Sequence, residues 1–146
     1  MALKDITVRE LTDDDMIEVS EWFKSRKLSH APAPRILPES AYVAELEGQL
    51  LSVVWVYATN SGLVLMDWIA TNPRAGNRGI ISVQKLFKHV EAIFKRSDKV
   101  SACISYAHND KLARYLEKRC GYKLDSQKVN MCMKVFKPLR AEGLHG

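Results

Sequence analysis

The sequence predicts an α/β (α+β) protein in which a mixed, mostly antiparallel central sheet of about six to seven strands carries helices on both faces. Three observations predict it. Apolar runs over Ala41 to Glu47, Leu50 to Tyr57 and Leu63 to Ala70 follow one another with only Gly48-Gln49 and Asn60-Ser61-Gly62 between them, the spacing of antiparallel hairpins. The third run passes through a short turn bearing Arg and Gly into a helix with Val83, Leu86, Phe87, Val90, Ile93 and Phe94 on one face, and a further strand returns after it. Finally, 146 residues with 47% hydrophobic content suffice for one domain with a substantial core and leave no room for a second domain. Residues 4–137 therefore read as a single domain and 138–146 as a loose tail.

Each element has its own local cause. Ile6-Thr7-Val8-Arg9 alternates like a short strand, and Thr12 followed by Asp13-Asp14-Asp15 reads as a helix N-cap with acidic residues in the first turn. That helix carries Met16, Ile17, Trp22 and Phe23. Pro32, Pro34 and Pro38 exclude regular structure from Ser29 to Glu39, which reads as a loop and as a mobile lid. After the basic helix, Lys99 to Tyr106 forms a strand parallel to the one before the helix, Asp110 to Arg119 a short helix, and Lys128 to Phe136 a closing strand.

Composition excludes several classes. The start, Met-Ala-Leu-Lys-Asp-Ile-Thr, lacks the apolar stretch of a signal peptide, and the longest nearly apolar run, Leu50 to Ala58, is too short to cross a bilayer. A cytoplasmic protein without membrane partners is expected. Cys103, Cys120 and Cys132 are odd in number and follow no metal-ligand spacing, so free thiols and no metal site are expected. The net charge is +5, with seven Lys or Arg between Arg74 and Lys99 against Glu91 and Asp98. Such clustering attracts anionic partners, although Lys85, Lys88 and Lys95 read more simply as a solvated helix face. Nucleic acid is disfavoured, because no zinc signature, recognition helix or stacking motif accompanies the charge.

The turn Asn72-Pro73-Arg74-Ala75-Gly76-Asn77-Arg78-Gly79 is the candidate anion site. A helix entered through glycines leaves its first amides without intrahelical acceptors, and its dipole adds positive potential there. Phosphate oxygens suit that place, and Arg78 offers a guanidinium for bidentate contact.

With these residues in place, the chain resembles the GNAT (GCN5-related) N-acetyltransferase superfamily over nearly all its length, about Ile6 to Phe136. In that family an apolar-x-Pro step ends the fourth strand, followed by a pyrophosphate loop of pattern Arg/Gln-x-x-Gly-x-Gly/Ala. Here Thr71-Asn72-Pro73 supplies the step. Counting from Pro73 puts Gly76 at the Arg/Gln position, Gly79 at the first Gly and Ile81 at the last small residue. A register starting at Arg74 puts Asn77 and Gly79 at the two Gly positions. A second match is Asn109-Asp110-Lys111-Leu112-Ala113 leading to Gly121-Tyr122, which looks like the family's Asn-x-x-Ala helix and closing Gly-Phe. The Tyr that family members often carry four residues before that Gly is replaced by Glu117. Tyr115 lies two residues earlier, roughly 200° around the helix, and so cannot substitute from the same face. Bacteriophage-type members are the closest in style, through the Leu37-Pro38 to Tyr42 entry and the Asn60-Ser61-Gly62 turn. The location would then be a host cytoplasm.

The resemblance implies acetyl-CoA as cosubstrate and an amine, on a small molecule or a protein, as acceptor. A monomer and a dimer both remain open. Ile69, Ala70, Thr71, Arg74, Asn77, Arg78, Gly79, Ile80 and Asn109 are the implied cofactor-binding residues, the backbone around Ile69 to Thr71 serving the oxyanion. Acyl transfer to an alkylamine of pKa about 10.4 requires a base. Asp67 is the candidate, being a carboxylate in an apolar run six residues before Pro73, with Leu65 and Ile69 expected on its own face. A structural ion pair or a solvent-facing position would explain Asp67 equally well. Tyr106, ending the next strand, is a second catalytic candidate and equally a packing residue. Among the histidines, His30 in the proline-rich loop draws interest, whereas His89, His108 and His145 read as surface, cap or tail residues. A non-catalytic binding module of the same fold is the alternative to an enzyme.

Overall fold

A computed structural model describes residues 3–25, 36–125, 132 and 134–137. Five strands form one sheet among them, β1 (Thr7–Glu10), β2 (Ala41–Leu46), β3 (Gln49–Ala58), β4 (Leu63–Thr71) and β5 (Ala102–Ser105), lying side by side in chain order. The first four are antiparallel neighbours and β4–β5 is parallel. The parallel step follows from the crossover helix between them, because a chain returning through a helix re-enters in the same direction. The strand count is thus lower than the about six to seven expected. The expected closing strand, 128–136, falls mostly outside the described residues, and Cys132 and residues 134–136 are not in a strand. His30 and most of the proline-rich loop also lie outside them.

Three helices cover the sheet: α1 (Asp13–Ser25), α2 (Asn77–Lys95) and α3 (Asp110–Cys120). Thr12 and Asp15 cap α1 reciprocally, the Thr12 N–H donating to Asp15 Oδ2 (2.8 Å) and the Asp15 N–H to Thr12 Oγ1 (3.3 Å). Asp15 also takes the Arg9 guanidinium at 2.7 Å, which fastens the cap to β1. Burial on α1 falls on Val19, Trp22 and Phe23, and Ile17, expected on the apolar face, is 75% exposed.

β3 is buried continuously from Leu50 to Val56 because both of its faces are covered. Leu51, Val54 and Val56 join Val64, Met66, Val83, Leu86, Phe87 and Val90 in a core under α2 and α3. Leu50, Val53 and Trp55 join Val19, Trp22 and Phe23 in a second core under α1. Ser52, Ser82 and Asn72 are the buried polar residues among those described. Ser82 Oγ donates to the Gly79 carbonyl (2.6 Å) and lies 2.6 Å from Ser52 Oγ, so the buried hydroxyls satisfy one another and tie α2 to β3. The far end of α2 is closed by Tyr122, whose ring packs edge-on against Phe87 and whose hydroxyl donates to Glu91 (2.8 Å). No helix among the described residues is long and apolar enough to cross a membrane.

Candidate functional site

The site is built where β4 outruns its parallel neighbour. β4 and β5 pair from Leu63–Ala102 to Met66–Ser105, and there β5 ends, whereas β4 continues to Thr71. From Asp67 onward β4 therefore runs past its β5 partner, and the two strands form a fork.

A β-bulge lies at the same point. Val53 pairs with Ala70 and Trp55 with Asp67, so three steps along β4 match two along β3. The extra residue is absorbed at Trp68, whose φ of 57° is rare for a bulky side chain. Two bonds hold it there: the Trp68 N–H donates to Asp67 Oδ1 (2.7 Å) and its indole Nε1–H to the Tyr57 hydroxyl (2.7 Å). Tyr57 in turn donates to the Ile36 carbonyl (2.8 Å). The bulge corrects the strand-face expectation. Ile69 turns into the core under α2, while Trp68 packs against the core under α1, the side on which Asp67 pairs with Trp55. Asp67 and Ile69 do not share a face, because simple alternation stops at a bulge.

Asn72 ends β4 and shapes the entry to α2. It is 3% exposed; its N–H donates to the Leu51 carbonyl (2.9 Å), its Nδ2 to the Leu50 carbonyl (2.8 Å), and its Oδ1 accepts from the Arg74 N–H (2.9 Å). The chain then makes one 3₁₀ turn, Pro73–Ala75, and Gly76 with φ 58° precedes α2. A Cβ on Gly79 would stand 3.0 Å from Thr71 Cβ and 3.3 Å from the Leu51 carbonyl oxygen. The close approach of helix to sheet that needs a small residue therefore falls at Gly79, two residues after the helix opens at Asn77. Gly79 stands at a glycine position in both registers read from the sequence. Ile81 is held by its carbonyl, which accepts from the Tyr115 hydroxyl (3.1 Å).

A cavity of about 240 Å³ occupies this corner, lined by Ile69, Thr71, Asn72, Pro73, Gly76, Asn77, Ile80, His108, Asn109, Lys111 and Leu112. It joins the end of β4, the start of α2 and the start of α3. Of the expected cofactor-binding residues it brings together Ile69, Thr71, Asn77, Ile80 and Asn109. Asn109 also caps α3, its Oδ1 accepting from the Leu112 N–H (2.8 Å). Arg74 and Arg78 are exposed at the helix entry beside the cavity wall, Gly79 is buried in packing, and Ala70 points into the core under α1. None of these four lines the cavity. Tyr106, 50% exposed just past β5, does not line it either.

Asp67 is half-buried at the root of the fork. Burial pushes its carboxyl above the ordinary value, while the Trp68 amide and the charge of His108 pull it back. His108 and Lys111 are the polar lining residues that sequence reading left out of the site. Lys111 was within reach of it, standing two residues after Asn109; His108 needed the fold, because only the fork brings it near Asp67. Glu117, at the position of the family Tyr, is exposed and lies outside the cavity. No group of three or more His, Cys, Asp or Glu with metal-holding geometry exists among the described residues.

No protein-family model and no curated protein matches this chain. Solved structures do. An aminoglycoside acetyltransferase from an uncultured soil metagenomic sample, in complex with sisomicin, superposes with a TM-score of 0.59 at 12% identity over 90% of this chain and 97% of that one. A GNAT-family acetyltransferase from Streptococcus pneumoniae gives 0.58 at 13% identity over 90% and 99%. N-acetylglutamate synthase from Neisseria gonorrhoeae, complexed with coenzyme A and N-acetyl-glutamate, gives 0.58 at 13% identity over 77% of this chain and 27% of that one. Likeness at such identities is likeness of architecture, and the architecture is the GNAT fold.

Proposed function

We propose that this protein is an acyl-CoA-dependent N-acetyltransferase that moves an acetyl group from acetyl-CoA to an amine by direct attack, without a covalent enzyme intermediate. The observation that carries the reading is the cavity at the start of α2, lined by Ile69 and Thr71 from the part of β4 that runs past β5. The first amides of α2 and the cations Arg74, Arg78 and Lys111 suit a pyrophosphate. Backbone groups from Ile69 to Thr71, freed from β5, are placed to polarise a thioester carbonyl and to stabilise the oxyanion that develops on it.

Asp67 takes the proton of the attacking amine, directly or through one water. Its carboxyl, raised by burial, is a better proton acceptor than an exposed aspartate would be. Trp68 and Tyr57, on the same side of the sheet, border the approach of the acceptor, a small-molecule or protein amine. The coenzyme A and sisomicin complexes of the structural neighbours support a cavity of this kind in this fold. Exposure of Glu117 where the family places a Tyr supports the second reading, a binding module without turnover.

Calorimetric or thermal-shift titration with acetyl-CoA tests the first step. At a hundred times the dissociation constant the ligand should add about 2.7 kcal/mol of stability. Coenzyme A release is then followed over a panel of amines for the wild type and Asp67→Asn. Turnover that falls by about 10²–10⁴-fold in the variant supports the base, and unchanged turnover removes Asp67 from the mechanism. Binding without turnover on any amine, or no acetyl-CoA binding at all, defeats the enzyme and favours the module.

A further inference from the structure

We propose that His108 is a catalytic residue of this site, the acid that protonates the departing thiolate of the acyl donor opposite Asp67. The proposal rests on the acyltransferase reading of the cavity.

Three placements carry it. Among the described residues, His108 and Lys111 are the titratable side chains lining the cavity, and of the two an imidazole, with a reference value of about 6.5, readily both carries and releases a proton near neutrality. His108 follows β5 by three residues, so it stands on the β5 wall of the fork while Asp67 stands on the β4 wall, near enough for its charge to act on that carboxylate. On α3, Tyr115 gives its hydroxyl proton to the Ile81 carbonyl, and Glu117 is exposed outside the cavity. Among the described residues that line the cavity, the acid is then His108, in the loop between β5 and α3.

The step balances without a further reactant. The amine lone pair forms the C–N bond at the acyl carbon, and the carbonyl π pair moves to oxygen. Its return breaks the C–S bond and expels the thiolate. The amine proton passes to Asp67, and an imidazolium N–H of His108 passes its proton to sulfur. Transfer of the proton from the Asp67 carboxyl to the neutral imidazole, through solvent at the exposed His108, restores both groups. The charged groups around His108 are Asp67 on β4 and Asp110 and Lys111 opening α3, with the Tyr57 hydroxyl beyond Asp67.

The test combines His108→Gln kinetics, acetyl-CoA affinity by calorimetry, and an NMR titration of the His108 imidazole in the wild type and in Asp67→Asn. His108 is exposed, so the Gln variant should fold, and its melting temperature verifies this. The expected result is a kcat lowered by about 10²–10⁴-fold, an acetyl-CoA affinity within about twofold of wild type, and loss of the fall in kcat at high pH. The imidazole should titrate at lower pH once Asp67 is neutralised. A retained kcat and pH profile, or a defect confined to acetyl-CoA affinity, overturns the proposal while leaving the acyltransferase standing. An imidazole titration unmoved by Asp67→Asn overturns the pairing. A wild type that does not bind acetyl-CoA overturns the acyltransferase reading itself, and the proposal with it.

Discussion

The two halves of β4 are made of similar residues and end in opposite situations. From Val64 to Met66 the strand is paired on both edges, and its inward side chains, Val64 and Met66, are at most 3% exposed. From Asp67 to Thr71 it runs beyond β5, carries a bulge, and borders a cavity. One half is where packing secures the fold, and the other borders the cavity proposed to take the ligand. A fold that needs stability and open main-chain donors in the same strand obtains both by letting one neighbour stop short.

The closed half should show its importance in stability alone. Phe87, fully buried between Tyr122 and the core that holds Met66, is the strongest lever. Phe87→Ala should cost about 3–5 kcal/mol in urea unfolding, since neither α2 nor the sheet can close over the lost ring. A loss below about 1 kcal/mol would mean that this half is no better packed than the open one.

Past the boundary between the halves, at the end of β4, Gly79 of α2 packs against Thr71. Gly79→Ala would gain helix propensity of up to about 1 kcal/mol, but its Cβ must press on Thr71 and on the Leu51 carbonyl. The net expectation is a destabilisation of about 1–2 kcal/mol with a weaker acetyl-CoA affinity, because Thr71 lines the cavity. A stabilised variant with unchanged affinity would show that the helix has room to move.

The same boundary marks how far the sequence can be read. β2, β3, β4 and α2 were legible because hairpin turns and a 3.6-residue stripe are local signals, and the parallel β4–β5 pairing follows from the crossover. The face assignment broke at Trp68, because a bulge shifts a strand by one residue without any special residue type to announce it; Trp at φ 57° is the opposite of what a turn rule expects. Two registers of the glycine-bearing turn were equally readable, and both put Gly79, which packs against Thr71 and the Leu51 carbonyl, at a glycine position. His108 was invisible for a related reason: its neighbours in the fold are far from it in the chain.

In the open half, Trp68→Phe keeps a ring but deletes the indole N–H that reaches Tyr57. The cost to stability should be about 0.5–1.5 kcal/mol, the worth of one hydrogen bond, because Tyr57 still donates to the Ile36 carbonyl. If the bulge is what sets up the fork, turnover should suffer more than stability does. Equal proportional losses would make Trp68 a packing residue only.

The smallest effect sharpens the comparison by its sign. Asp15, in the α1 cap away from the site, is held down to about 2 from an ordinary 3.8, first by its hydrogen bond from Arg9. A carboxyl with a lowered folded value stabilises above its unfolded value, so its contribution is lost as pH falls from near 3.8 through about 2. Asp67 is shifted the other way, chiefly by burial. Its contribution is fully present below its unfolded value and disappears as pH rises through the folded one. Each should be worth less than about 1 kcal/mol, given the partial exposure of Arg9 and the openness of the fork. Chemical unfolding between pH 2 and 7 should therefore show Asp15→Asn flattening the acid loss and Asp67→Asn removing the opposing trend. Two variants with curves of the same slope would mean that the carboxylate at the fork is as well solvated and paired as the one in the cap, and that nothing in its surroundings readies it to accept a proton.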